Sequence, residues 1–413
     1  MRSLFHPLSE ETRKALATIP ALVEKTFPIP ARFRATLPSD VAELFSLLTS
    51  RRTERGASYL GKPTLLSAYL RYYMPWNIYR LCRLLSALPI ELKSGDAVND
   101  LGAGPLTLAS SLWISRPDLR EIPLEIRCLD KTAAVLEAGK KFFAALAAGC
   151  PWTVKTIRGE IRGFSRQRGG ALSVEIRGKP AALSAAVNVY NELFWDLSPM
   201  DKEGLERFAS NQARLLLSLT ESSGSVLVVE PGIPRSGEFI SLFRSSLIKE
   251  KCLPLSPCPH CGPCPLPGGK PASGHMQSKA KWCHFALDTE DAPEELHKLS
   301  AALKLPKERA ALSFILAGTA AAQKPFKRAV RSELTDQVKV RVISDSFPIS
   351  AYSPGARGRV NKTWGRYGCS ERGLVLVTGS RRTLESAPPG TLEEPALESG
   401  MIDEKSGALI GKL

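Results

Sequence analysis

No apolar run in these 413 residues reaches the roughly 18 positions a membrane-spanning helix needs. The opening stretch, MRSLFHPLSEETRK, has no continuous apolar core, because Pro7, Glu10 and Glu11 interrupt it. A secretory leader is therefore not expected, and the acid-poor, Arg-rich character of a transit peptide is missing as well. No internal repeat is present. Acids are in short supply: 41 Asp and Glu face 56 Lys and Arg, for a net charge of +15. An excess of this size favours a polyanionic partner, usually nucleic acid. Hydrophobic residues make up 43% and charged residues 23%, which excludes global disorder, and the length predicts two or three structural units.

Residues 1–90 read as helical. Leu16, Ile19, Leu22 and Val23 recur at helical spacing, as do Val41, Leu44, Phe45, Leu47 and Leu48. An aromatic-rich stretch follows with Tyr59, Tyr69, Tyr72, Tyr73, Trp76 and Tyr79, interleaved with Arg71, Arg80 and Arg83. It reads as a helix pair packed on the next domain, kinked or split at Pro75. The alternative is a surface that stacks on RNA bases or lines a cofactor pocket.

From residue 91 the pattern turns to short apolar strands alternating with helices, through 251 and again over 286–323. That alternation predicts an α/β fold with a parallel, Rossmann-like sheet. Expected strands are Ala97–Asp100, Ile126–Asp130, Leu183–Tyr190, Ser225–Glu230 and Ala311–Leu316. Expected helices include Pro105–Ser115, Thr132–Ala147, Lys202–Leu219 and Ser236–Lys249. Residues 252–285 break the alternation with proline, glycine and cysteine, and a metal is needed to order such a stretch. Residues 324–372 hold eleven basic and four acidic residues around strand-like VKVRVIS and LVLV, so 324–380 reads as a basic, β-rich extension. The Pro-, Glu- and Ser-rich tail, 381–413, is expected to be disordered.

The sharpest local signal is VNDLGAGPLTL. A strand ending at Asp100 meets a tight turn at Gly102 and Gly104, and a helix is expected to start near Pro105. The dinucleotide fingerprint needs a third glycine at 107, where Thr107 stands instead. An acid at the end of the next strand should bond ribose hydroxyls, and IRCLD supplies Asp130 there. Asp100, Gly102, Gly104 and Asp130 are thus the candidate cofactor residues. D-L-G-A-G resembles motif I of class I S-adenosylmethionine-dependent methyltransferases. After the fourth strand, VNVYNELFWDL lacks the proline pair of amino-methylating enzymes. It also lacks the cysteines of a covalent pyrimidine mechanism. Asn191 and Glu192 either cap the next helix or contact the cofactor, and no catalytic residue is assigned.

Of nine cysteines, Cys252, Cys258, Cys261, Cys264 and Cys283 share one window. Clustering in a chain not expected to be secreted points to metal rather than disulfides. Cys258, Cys261 and Cys264 match part of a ferredoxin run, but position 268 is glycine and the run is incomplete. His260, His275 and His284 keep a mixed zinc site open. Cys82, Cys128 and Cys150 read as small buried side chains. The C-x3-C spacing usual in radical enzymes does not occur.

D-L-G-A-G-P, N-E-L, V-V-E-P-G, C-P-H followed by C-P, W-C-H-F and a late G-C stand in one order. Over roughly residues 55–380 this resembles the methyltransferase-like small-subunit ribosome assembly family of bacteria and mitochondria. The resemblance implies a class I methyltransferase fold with a [4Fe–4S] cluster on Cys258, Cys264, Cys283 and Cys369. Cys261 departs from the family pattern, and it leaves a competing ligand or zinc open. The resemblance further implies binding to small-subunit rRNA and pre-subunit particles. The chain would act as a monomer, off the membrane, in a bacterial cytoplasm or a mitochondrial matrix. Arg357, Arg359, Lys362 and Arg366 are the expected phosphate contacts. An active rRNA methyltransferase with a structural zinc or Fe–S site is the alternative.

Overall fold

The computed structural model describes residues 3–54, 59–161, 176–196, 201–268, 281–319, 337–349, 363–404 and 406–413. The N-terminal region is helical: α1 (Glu10–Thr26), α2 (Ala31–Arg34), α3 (Leu37–Leu48), α4 (Pro63–Ala68) and α5 (Met74–Leu85). Ser9 caps α1 by accepting from the Thr12 N–H. A π-helical turn, Tyr69–Tyr73, joins α4 to α5, so the chain continues through the region of Pro75 rather than breaking there. Pro75 has no N–H to offer the preceding turn, and a wider turn accommodates that loss.

The expected packing role of the aromatic stretch holds for most of it. Tyr72, Trp76 and Tyr79 are buried with Leu16, Ile19, Val23, Val41 and Leu44. Their polar tips are satisfied: Trp76 Nε1 donates to Ser300 Oγ at 3.0 Å and Tyr79 OH to Asp291 Oδ1 at 2.7 Å. Arg83 pairs with the same Asp291 at 2.6 Å.

The central sheet comprises β1 (Ala97–Leu101), β2 (Glu125–Asp130), β3 (Thr153–Arg158), β4 (Ala181–Val187), β5 (Thr220–Pro231), β6 (Leu253–Ser256), β7 (Phe285–Asp288) and β8 (Arg309–Gly318). Its order is β3-β2-β1-β4-β5-β8-β6. The first five strands are parallel, and β8 runs antiparallel between β5 and β6. Both faces are covered, which explains the continuous apolar runs of β1 and β4. Along β5, Leu227 and Val229 face one cluster with α6 (Thr107–Ser115) and α7 (Ala133–Leu146). Val226 and Val228 face the other with α8 (Tyr190–Asp196), α9 (Lys202–Ser218) and α10 (Pro234–Lys249). The expected strand to Tyr190 ends at Val187, and Tyr190 opens α8 instead. The helix expected from Pro105 starts at Thr107, because Leu106 takes φ +57°.

β6 and β7 both pair with β8, at Gly318–Leu316 and Leu312–Arg309 respectively. They form one interrupted edge strand, and the Cys-rich stretch leaves the sheet in the interruption. After α11 (Glu294–Ala302) the central sheet closes with β8.

A second sheet contains β9 (Val340–Val342), β10 (Phe347–Ile349), β11 (Thr363–Ser370), β12 (Gly373–Gly379), β13 (Leu392–Glu393), β14 (Ala396–Asp403) and β15 (Ala408–Lys412), with α12 (Arg381–Glu385) beside it. This corrects the expected disorder of 381–413. β15 lies between β12 and β14, with Leu409 opposite Val375 and Ala408 fully buried. Charged and turn residues dominate the tail's composition, yet Ala408 is buried and Leu384, Leu397 and Leu409 join the core of the second sheet.

Candidate functional site

The order of the central sheet reverses between β1 and β4, and the ends of these strands open a crevice there. A cavity of about 220 Å³ occupies it, lined by Asp100, Gly102, Gly104, Asp130, Glu160, Asn188 and Glu192. The structure therefore brings all four sequence-expected cofactor residues to one cavity. Gly102 has φ +71°, and a Cβ there would overlap the Val189 side chain. Gly104 has φ +53° and open space where its Cβ would point. Asp130 accepts from the Gly104 N–H at 3.0 Å and the Thr132 N–H at 2.9 Å. Burial raises its carboxyl above the usual range despite those bonds.

Asp100 is 1% exposed, and neither carboxylate oxygen has a hydrogen-bond partner among the described residues. Burial, then the neighbouring Asp130, push its carboxyl up to about 8. Four acids and Lys131 line the cavity, so its wall favours a cationic ligand.

Some lining residues come from the aromatic stretch, whose alternative reading was a cofactor pocket, and others were not singled out from the sequence. Tyr59 and Tyr69, from the N-terminal region, cover the cavity, and Tyr59 OH donates to Glu192 Oε1 at 2.9 Å. This is the one part of the aromatic stretch that serves the pocket reading. Asn188 sits at φ +57°, and its Oδ1 accepts from Arg80 Nη2 at 2.7 Å. Burial lowers Arg80 to about 10. Glu230, at the end of β5, accepts from the N–H groups of Tyr190 and Asn191 at 2.8 and 3.0 Å. It thereby caps α8, and burial pushes it up to about 8. Its signal was V-V-E-P-G, while Arg80 and Asn188 are 108 positions apart and gave none.

All nine cysteines are free thiols. Cys258, Cys264 and Cys283 are half-buried, Cys369 is buried and Cys261 is exposed. Burial raises the Cys283 thiol, and Cys264, Cys258 and Cys369 raise it further. Burial likewise raises Cys369, with Cys258 and Cys264 adding to it, and pushes Cys258 up to about 11. The four thiols named by the resemblance thus act on one another across two sheets, and Cys261 takes no part in these effects. Among the described residues, no group of three or more His, Cys, Asp and Glu side chains stands in an arrangement that holds a metal ion.

His260 Nε2 lies 3.3 Å from Cys369 Sγ, and burial lowers its imidazole to about 4. Cys252 is buried in the cluster of Phe243 and Leu247, against which Cys258 also packs. Cys82 and Cys128 are buried as expected. The donor set itself suits a thiophilic metal or an Fe–S cluster: four thiols, with Arg244 Nε donating to Cys258 Sγ at 3.2 Å. His275 lies outside the described residues.

The expected phosphate contacts need one correction. Arg366 is 1% exposed, forms an ion pair with Glu393 and donates to the carbonyls of Leu384 and Ala387. It holds α12 against β11 and offers nothing to RNA. Arg357, Arg359 and Lys362 lie outside the described residues.

No curated protein matches the chain in sequence. Among solved structures it is similar to a SAM-dependent methyltransferase from Thiobacillus denitrificans in complex with S-adenosyl-L-homocysteine. The identity is 14% over 59% of this chain and 90% of that one, with TM-score 0.31. It is also similar to geranyl diphosphate C-methyltransferase from Streptomyces coelicolor A3(2), at 12% identity over 77% and 91% of the two chains, TM-score 0.31. The family described as mitochondrial small ribosomal subunit Rsm22 matches residues 181–345, which span β4 to β9 and three of the four thiols. Residues 181–345 are thus similar to Rsm22, and the sheet of five parallel strands closed by antiparallel β8 has the Rossmann-like arrangement of the class I methyltransferase fold.

Proposed function

We propose that this protein is a small-ribosomal-subunit assembly factor. In this reading it binds S-adenosylmethionine, carries a [4Fe–4S] cluster on Cys258, Cys264, Cys283 and Cys369, and binds rRNA of pre-subunit particles as a monomer. The observation that carries the reading is the approach of Cys369, on the second sheet, to the insertion: its Sγ lies 3.3 Å from His260 Nε2, and Arg341, opposite Cys369, donates to the carbonyl of Pro257 beside Cys258. A cluster there supplies a cross-link between the insertion and that sheet. It fixes the C-terminal region relative to the cofactor pocket, and binding energy of this kind is folding energy. The net charge of +15 supports an RNA partner. The compartment is the mitochondrial matrix in a eukaryote and the cytoplasm in a bacterium.

In the pocket, Asp130 accepts from the ribose hydroxyls, and Asp100, once ionised toward pH 8, faces a sulfonium-bearing ligand. Methyl transfer to a nucleobase amine finds less support. The segment after β4, VNVYNELFWDL, lacks the proline pair of amino-methylating enzymes. The role is therefore one of binding rather than turnover.

Metal analysis of anaerobically purified protein, joined to capture of ribosomal particles from cells, tests the reading. Iron, and small-subunit particles whose capture weakens as salt rises, are expected. Iron-free protein that captures no particles contradicts it. Absence of tritium transfer from labelled cofactor into immature subunits separates binding from methylation.

A further inference from the structure

Among the described residues, the thiol region contains two buried cations and no carboxylate paired with them. Residues 257–284, the whole stretch between β6 and β7, include no Asp or Glu. Arg244, on α10, is 3% exposed. Its Nε donates to Cys258 Sγ at 3.2 Å, and its Nη2 donates to the carbonyls of His260 and Gly262 at 2.8 and 2.9 Å. Arg341, on β9, is 9% exposed and stands directly opposite Cys369 in the β9–β11 pair. Directly opposed residues project to the same face of a sheet. Arg341 also donates from Nε to the carbonyl of Pro257, next to Cys258, and from Nη1 to that of Gly390, at 2.9 and 2.7 Å.

Three other buried guanidiniums meet carboxylates, Arg83 with Asp291, Arg127 with Glu125 and Arg366 with Glu393, while Arg80 is held by the Ala311 carbonyl and the Asn77 and Asn188 amide oxygens. Arg244 and Arg341 have no such pair among the described residues. A buried charge without a counter-charge is strongly unfavourable. The groups these two cations face are the thiols.

We propose that Arg244 and Arg341 are the counter-cations of a dianionic four-thiolate centre formed by Cys258, Cys264, Cys283 and Cys369, and that they set how tightly its metal is held. The inference rests on the four-cysteine reading above and adds the charge that the centre must carry. On loading, four S–H bonds break, four metal–sulfur bonds form and four protons leave to solvent. Four thiolates on a core of charge +2, whether one divalent ion or an oxidised Fe–S core, leave −2. Two guanidiniums cancel it. Hydrogen bonds and charges of this outer kind tune both affinity and potential at metal centres.

The test compares full-length wild type with R244Q, which keeps an amide for the two carbonyls but loses the charge, and R244K, which keeps the charge. R341Q and R341K form a second pair if an Arg244 variant does not fold. Each loaded protein is mixed with excess chelator, and loss of iron or zinc is timed. Metal loss about 10–100-fold faster in R244Q, with R244K close to wild type, is expected. Melting gives a second signature. Loaded R244Q melts below loaded wild type, whereas stripped R244Q melts at or above stripped wild type, because stripping leaves the natural arginine unpaired. Equal release rates in R244Q and wild type overturn the proposal. So does R244Q melting lower in both forms, which marks a merely structural arginine. Wild type that takes up neither iron nor zinc under anaerobic reconstitution overturns the four-cysteine reading itself, and no variant is needed to see it.

Discussion

The cofactor cavity and the thiol region are opposites in charge. Four carboxylates wall the cavity, and one of them, Asp100, is buried with no partner. The thiol region instead buries two guanidiniums with no acid in the neighbouring insertion. In the cavity a negative surplus appears as Asp100 ionises toward pH 8, which suits a cation, and in the thiol region the positive surplus suits the anionic metal–thiolate centre proposed above. Arg366 is the control, since its buried charge is already matched by Glu393 and needs nothing further.

The largest expected effect comes from breaking the thiol region. Cys283→Ser should remove essentially all bound metal and lower the melting temperature, as metal analysis and calorimetry read it. Full metal content in that variant breaks the comparison on one side. Next comes the control. Arg366→Gln leaves Glu393 buried and unpaired, and should cost about 3–5 kcal/mol in denaturant unfolding. It should leave the salt dependence of RNA binding unchanged, whereas a phosphate contact would change the slope.

Asp100→Asn tests the other side. Above pH 8, where Asp100 is ionised, loss of a charge-assisted contact of about 1.5–3 kcal/mol predicts S-adenosylmethionine binding roughly ten- to a hundredfold weaker by titration calorimetry. The pH dependence has a definite sign. Asp100 titrates at about 8 in the folded protein, against about 4 when unfolded. Between those values the unfolded chain is ionised while the folded one keeps its proton, so stability falls as pH rises through the window. Its share is about 1.4 kcal/mol per pH unit at most. Asp100→Asn should flatten that share of the slope and leave the one from Glu230, which burial also holds at about 8. Cofactor affinity, by contrast, should climb as pH approaches 8 in the wild type, because the cation prefers the ionised carboxylate. The smallest effect belongs to Cys261→Ser. Cys261 is exposed, and its loss should leave metal content intact.

The two regions also differed in how much of them could be read from residues alone. The cavity's Asp100, Gly102, Gly104 and Asp130 sit at consecutive strand ends, where short-range pattern carries the geometry. Its lid did not announce itself, because Tyr59 meets Glu192 across 133 positions. The four thiols were named only through a family resemblance, since no spacing rule links Cys283 to Cys369. Arg244 and Arg341 left no sequence signal at all, because an arginine reads as a surface charge until burial is known. Arg366 misled for the same reason. The tail misled through composition: Pro, Glu and Ser outnumber the few apolar residues that β15 inserts between β12 and β14.

The measurement that bears most directly on the account is iron and sulfide content of the anaerobically purified wild type beside Cys369→Ser. The account predicts about four iron atoms per wild-type chain, with thiolate–iron absorption. Both should vanish in the variant, although every cysteine of the insertion is still present. Undiminished iron in Cys369→Ser would contradict it, because the second sheet would then hold no part of the centre.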